Sequence, residues 1–151
     1  MNHEYEARHV TTIHAPAELC YSVLNDFENY TDWFPFIRSM DIQSTDEMGR
    51  PLNIKYVFDV VLKQGFEITL QYQYDDDGLI LHFSAVDGTF SDARGFYSFK
   101  ETGNDTTAAQ FYVHVSLSLQ LPDRISRYLI ENASKNILMK LKKEAEHRVH
   151  V

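Results

Sequence analysis

Cysteine is nearly missing from this chain: Cys20 is the only one among 151 residues. A lone thiol forms no internal disulfide and spells out no Cys-based metal site, so Cys20 is expected to pack as a small hydrophobe. The 7 histidines never fall in an HxH or HExxH spacing, and neither a metal nor a cofactor is expected. Glycine, at 6 copies, and proline, at 4, gather into no linker or low-complexity tract. No apolar run nears the roughly 18–20 residues of a membrane span, so stable membrane insertion is not expected. Positive charge is in deficit, with 14 Lys and Arg against 22 Asp and Glu and a net charge of −8 at pH 7. Such a surface repels phosphate backbones, so nucleic acid is not an expected partner. Glycine-rich phosphate loops, Gly-x-Ser-x-Gly elbows and Cys–His pairs are absent as well.

What remains is apolar and ring-rich. Hydrophobic residues make up 44% and aromatic residues 13%, with 10 Phe and 9 Tyr against a single Trp. This length supports a sizeable core and favours one domain over residues 1–151. The opening Met1-Asn2-His3-Glu4-Tyr5-Glu6 carries no apolar run and no cleavage signature. The expectation is therefore no signal peptide and a cytoplasmic location.

A first helix begins at Ala15-Pro16-Ala17-Glu18. Pro16 suits the first helical position, and Glu18 places negative charge in the first turn. Leu19, Val23 and Phe27 recur at i, i+4, i+8 beside Cys20 and Leu24, which predicts one apolar helical face. Tyr30, Trp33, Phe34 and Phe36 follow around Pro35, a short ring-bearing segment suited to cover a pocket.

Polar, glycine-containing clusters then divide the chain into strand-length pieces, among them Asp46–Gly49, Asp75–Gly78 and Thr102–Asp105. Ile54, Tyr56, Phe58, Val60 and Leu62 alternate with polar residues. So do Phe66, Ile68, Leu70, Tyr72 and Tyr74, then Leu79, Leu81, Phe83 and Ala85, and finally Phe111, Val113, Val115, Leu117 and Leu119. Period 2 with one apolar face predicts an antiparallel sheet covered on one side. In 93–100, Gly95, Tyr97 and Phe99 share a face with Phe96 opposite, and the internal Gly95 suggests a bend or bulge. Segments 4–13 and 38–44 carry fainter strand patterns.

Pro122 fits the start of a final helix running to about His147. Ile125, Leu129, Ala133 and Ile137 form its apolar row, flanked by Ile130 and Leu141, while Leu138 falls on the polar side. Lys135, Lys140, Lys142, Lys143 and Arg148, mixed with Glu144 and Glu146, read as a solvated helix end. At about 1.5 Å per residue the helix spans on the order of 35–40 Å, enough to cross a sheet. The expected fold is α+β: a curved seven-stranded antiparallel sheet wrapped around a long C-terminal helix, with short helices between strands 1 and 2.

This order resembles the helix-grip superfamily of START domains and birch-pollen-allergen relatives, and within it the bacterial polyketide cyclase/dehydrase-like proteins. The residues that carry the resemblance are Ile13-x-Ala15-Pro16-Ala17-Glu18, Tyr21-x-Val23-Leu24-x-Asp26-Phe27 and Tyr30-x-x-Trp33-x-Pro35, then Asp76-x-Gly78, Gly95-x-Tyr97-x-Phe99 and the Leu-x-Leu-Pro ending at Pro122. The resemblance implies an apolar cavity between sheet and long helix. It also implies binding of a lipid, a polyketide or another hydrophobic small molecule. Alternatives are a polyketide cyclase/aromatase or dehydratase, and a coenzyme-Q-binding or ribosome-association role, the last disfavoured by the acidic balance.

With the apolar faces turned inward, the expected ligand walls are Tyr56, Phe58, Ile68, Leu70, Tyr72, Leu81, Phe83, Tyr97, Phe99, Phe111 and Val113, with Ile54 and Val115 beside them. Trp33, Phe34 and Phe36 are expected at the mouth, and Leu129, Asn132 and Asn136 on the covering helix. His9 shares the face of Tyr5, Ala7 and Ile13, and is the one histidine suggested for acid–base work; His82 and His114 fall on polar faces.

Overall fold

Alternating large apolar side chains build a sheet that needs a cover, and a long helix supplies it. In the computed structural model, residues 3–34, 36–60, 63–88, 92–117 and 121–150 are described. The chain runs β1 (His3–Ile13), α1 (Ala17–Leu24), a 3-10 turn (Phe27–Asn29), α2 (Tyr30–Trp33), β2 (Ile37–Thr45), β3 (Pro51–Val60), β4 (Lys63–Asp75), β5 (Ile80–Gly88), β6 (Asp92–Gly103), β7 (Thr106–Leu117) and α3 (Asp123–Val149). The strands form one antiparallel sheet in the order β1-β7-β6-β5-β4-β3-β2. The architecture is the α+β helix-grip fold: a curved seven-stranded sheet, two short helices between β1 and β2, and a long C-terminal helix. Pro35, Leu62 and Leu119, and the side chains of Val60, Phe66 and Leu117, lie outside the described residues.

The faint pattern of β2 has a physical cause. Its pairing with β3 shifts register around Ser39 and on both sides of Ser44, so its side chains do not alternate cleanly. Pro16 and Pro122 each sit one position ahead of the expected place, as extended N-cap residues with ψ of 147° and 142°. Their carbonyls accept the first helical N–H groups, from Cys20 and from Ser126. The first helix stops at Leu24 rather than reaching Phe27. The Leu24 carbonyl accepts a hydrogen bond from the buried Tyr30 hydroxyl, and Phe27 is buried from the 3-10 turn instead.

Leu79 belongs to the turn before β5, not to the strand, and takes a left-handed φ of 54°. Gly95 makes no bulge: pairing with Phe83 on one side and Val113 on the other runs through it unshifted. A Cβ at this position would stand 1.9 Å from the Tyr112 carbonyl oxygen and 2.8 Å from the Phe83 ring. The residue therefore serves close approach within a tightly coiled sheet.

The buried face of α3 is Ser126, Ser134, Leu138, Leu141 and Ala145, turned by one residue from the expected row. Leu138, read from the sequence as polar-side, is 1% exposed. Small residues at Ser126, Ser134 and Ala145 let the helix approach its neighbours, and Ser134 satisfies its hydroxyl on the Ile130 carbonyl at 2.7 Å. The expected row is only half-buried because part of it borders a hollow instead of packed atoms. α3 packs against β1, α1, β7 and α2. Its basic end is fastened, not freely solvated. Lys142 Nζ donates to the Thr12 carbonyl at 2.6 Å, and Glu146 accepts the His14 backbone N–H at 2.8 Å. Arg148 lies 3.1 Å from Asp26.

Candidate ligand-binding pocket

A pocket of about 230 Å³ lies between the inner sheet face and α3. Its walls are Tyr56 and Phe58 of β3, Ile68, Leu70 and Tyr72 of β4, Phe83 of β5, Ala93 and Tyr97 of β6, and Phe111, Val113 and Val115 of β7. Leu129, Ile130, Asn132, Ala133, Ser134 and Ile137 of α3 form the roof, and Tyr30, Phe34 and Phe36 close the side near α2. Period-2 alternation aims the wall residues inward, and antiparallel register stacks them: Tyr97 opposes both Leu81 and Phe111, and Tyr56 opposes Ile68. The rings pack on one another, with Tyr97 and Phe111 centroids 4.7 Å apart and Phe83 stacked on Phe111 at 6.0 Å.

Four phenols give the pocket its polar character. Tyr30 donates to the Leu24 carbonyl, and the Tyr56 and Tyr72 hydroxyls lie 2.5 Å apart. The Tyr97 hydroxyl has no hydrogen-bond partner among the described residues. Burial pushes all four pKa values far above the ordinary 10.0, so each stays a neutral donor at physiological pH. No acidic or basic side chain lines the pocket among the described residues.

The structure thus gathers most of the expected residues around one hollow and separates others. Leu81 and Phe99 are buried but do not line the hollow, and Phe99 meets Tyr21 edge-on at 6.5 Å. Trp33 stands behind the mouth, packed on Tyr30 and Phe34 at 5.2 and 5.6 Å. Asn132 is exposed at the rim, and Asn136 lies outside the lining. His9 also lies outside it, with Nε2 3.2 Å from Glu131 of α3. His114 lies on the outer face as expected, but it is buried there between Glu4 and Asp92. Tyr30, Ala93, Ile130, Ala133, Ser134 and Ile137 line the pocket without having been picked out as ligand contacts. For Ala93, carrying the β6 alternation one step back from Gly95 would have found it.

Phe36 is held in an uncommon backbone state. Its φ is +73°, in the left-handed region that a bulky residue avoids. The Asp59 backbone N–H donates to its carbonyl at 2.8 Å and pins the turn, leaving the ring at the pocket mouth. A second, shallower trough of about 550 Å³ crosses the outer sheet face by Gln71, Gln73, His82, Ser84, Arg94 and Tyr112. Exposed polar side chains alternate there with Leu52, Gly95 and Phe96, and the trough is open to solvent.

A sheet closed around a C-terminal helix over an apolar hollow defines a helix-grip protein. Residues 13–142 match the family described as polyketide cyclase / dehydrase and lipid transport, and the chain belongs to that family. No protein of curated function matches the sequence. Among solved structures, the fold is similar to a START superfamily protein from Mycobacterium smegmatis, with 21% identity, TM-score 0.84, and coverage of 95% of this chain and 98% of that one. It is also similar to the Zhui aromatase/cyclase from Streptomyces sp. R1128, with 19% identity, TM-score 0.84, and coverage of 97% and 96%. A protein from Thermus thermophilus matches at 18% identity and TM-score 0.83, over 93% and 96%. At these identities the likeness is one of fold. No helix among the described residues is long and apolar enough to cross a membrane.

Proposed function

We propose that this protein binds a hydrophobic small molecule beneath α3, for transport or sequestration. One observation carries the reading. Aliphatic and aromatic side chains from five strands, α2 and α3 converge on one hollow whose described lining brings no charged side chain. Burying apolar ligand surface there contributes about 25 cal/mol per Å², less the costs of association. The family description, which includes lipid transport, supports the same reading. Native mass spectrometry of freshly purified protein tests it. The expected result is a co-purifying hydrophobic molecule that is lost in Ala133→Trp, a substitution that fills the roof of the pocket. Bare polypeptide in both forms, with no uptake of a hydrophobic fluorescent probe, overturns it.

A second reading, a polyketide cyclase/aromatase or dehydratase, is favoured by the Tyr56–Tyr72 hydroxyl pair within the pocket. The one proton this pair leaves free would polarise a carbonyl of a folded poly-β-ketone chain and hold it for ring closure. Supplying a poly-β-ketone thioester and comparing products with and without protein decides it. Identical product distributions remove this reading and leave the first intact.

A further inference from the structure

We infer that the pocket selects a compact, uncharged ring compound bearing an acceptor oxygen, such as a cyclic ketone, and that Tyr97 is the residue that reads this oxygen. The inference rests on the hydrophobic-ligand reading and specifies its chemistry.

The count of donor protons leads to it. Tyr30 spends its proton on the Leu24 carbonyl. Tyr56 and Tyr72 share one hydrogen bond, which leaves one of their two protons over. Tyr97, 7% exposed and on the pocket wall, has no partner among the described residues. Tyr30, Tyr56, Tyr72 and Tyr97 all line the same hollow, whose other walls are mostly apolar. The Tyr97 hydroxyl opens onto the hollow, so an acceptor oxygen brought by a ligand can pair with it, whereas a purely hydrocarbon guest would cover it and leave it unpaired.

Charge and size narrow the class. A carboxylate headgroup placed among these groups would meet no cation, leaving an uncompensated buried charge. The volume, about 230 Å³, lies below the roughly 300–1,000 Å³ common for ligand pockets, which favours a compact ring over a long acyl chain. Selectivity for a ketone over the matching hydrocarbon then arises because the site already holds an unpaired donor.

The test is an NMR titration of isotope-labelled protein at pH 7 with α-tetralone, the hydrocarbon tetralin and the corresponding ring carboxylate. The wild type is expected to bind α-tetralone about five- to tenfold more tightly than tetralin, the worth of one hydrogen bond. The carboxylate is expected to bind weakest. In Tyr97→Phe the ketone advantage disappears while tetralin affinity is unchanged. A ketone advantage that persists in Tyr97→Phe, or a carboxylate that binds as tightly as the ketone, overturns the inference; tetralin binding then still upholds the hydrophobic pocket. Failure of all three compounds to bind overturns the inference and the underlying reading together. Thermal unfolding of Tyr97→Phe gives an independent check. Its midpoint is expected at or above that of the wild type, and a clearly lower midpoint would show that the hydroxyl is already satisfied in the fold.

Discussion

The hydroxyl oxygens of Tyr56 on β3 and Tyr72 on β4 lie 2.5 Å apart in the pocket wall, where the two residues are 2% and 6% exposed. Removing one partner strands the other. Tyr56→Phe or Tyr72→Phe is each expected to lower stability by about 1–3 kcal/mol, whereas the double variant costs less than the sum of the two. Urea unfolding of the four proteins measures the coupling, and strict additivity would show that the pair does not act as a unit.

Gly95→Ala is expected to be among the most damaging single substitutions in the sheet. The added methyl would collide with the Tyr112 carbonyl oxygen, a backbone atom that cannot swing away. A loss of about 3 kcal/mol or more is expected, at the upper end for overpacking. Gly49→Ala provides the contrast: nothing lies within 4 Å of its Cβ site, so only the strain of φ +83° applies, about 1–2 kcal/mol. Equal losses at the two positions would contradict the packing described for β6.

Phe36 carries backbone strain that Phe34 does not, with φ of +73° against −78°. Phe36→Gly loses a ring but releases a left-handed conformation worth about 1–2 kcal/mol, so it should cost less stability than Phe34→Gly by about that amount. Both variants open the mouth and should weaken hydrophobic-probe binding. Chemical denaturation alongside probe titration separates the two effects.

Stability should fall at both ends of the pH scale, for different reasons. The Tyr21 hydroxyl and the Arg50 guanidinium hold the Asp76 carboxyl below the usual range. A depressed folded-state pKa contributes fully above the unfolded carboxylate value, about 3.9, and is lost as pH falls through the folded one. Asp76→Asn should therefore flatten the acid limb of a plot of unfolding midpoint against pH. Burial raises Tyr30, Tyr56 and Tyr72 far above 10.0, so their contribution is complete below that pH and is lost as pH rises through their folded values. On the alkaline limb, their phenolate absorbance should appear only together with unfolding.

The sheet was legible because alternation is a local property. Ile54 and Tyr56, Ile68 and Tyr72, and Phe111 and Val113 share faces whatever the rest of the chain does. Depth is not local: the same period aims Leu81 and Phe83 inward, but only register and sheet curvature decide that Phe83 borders the hollow while Leu81 is buried without lining it. The covering helix misled for a different reason. Hydrophobicity points to Ile125, Leu129, Ala133 and Ile137, yet close approach favours small side chains, so Ser126 and Ser134 are buried and the greasy row is left half-covered. His114 shows the same limit. A polar residue on an outer face reads as exposed until Glu4 and Asp92, from the two neighbouring strands, are seen to shield it.

The attachments of α3 run to one part of the chain. Asp123 accepts from Tyr5, Glu131 meets His9, Lys142 holds Thr12, Glu146 holds His14 and Arg148 holds Asp26. The helix is thus sewn down along a single long seam, and among the described residues no hydrogen bond or ion pair ties it to Phe34 or Phe36. The roof of the pocket is thereby anchored through the N-terminal stretch of the chain, so damage to β1 should loosen the cover over the hollow as well as the sheet edge.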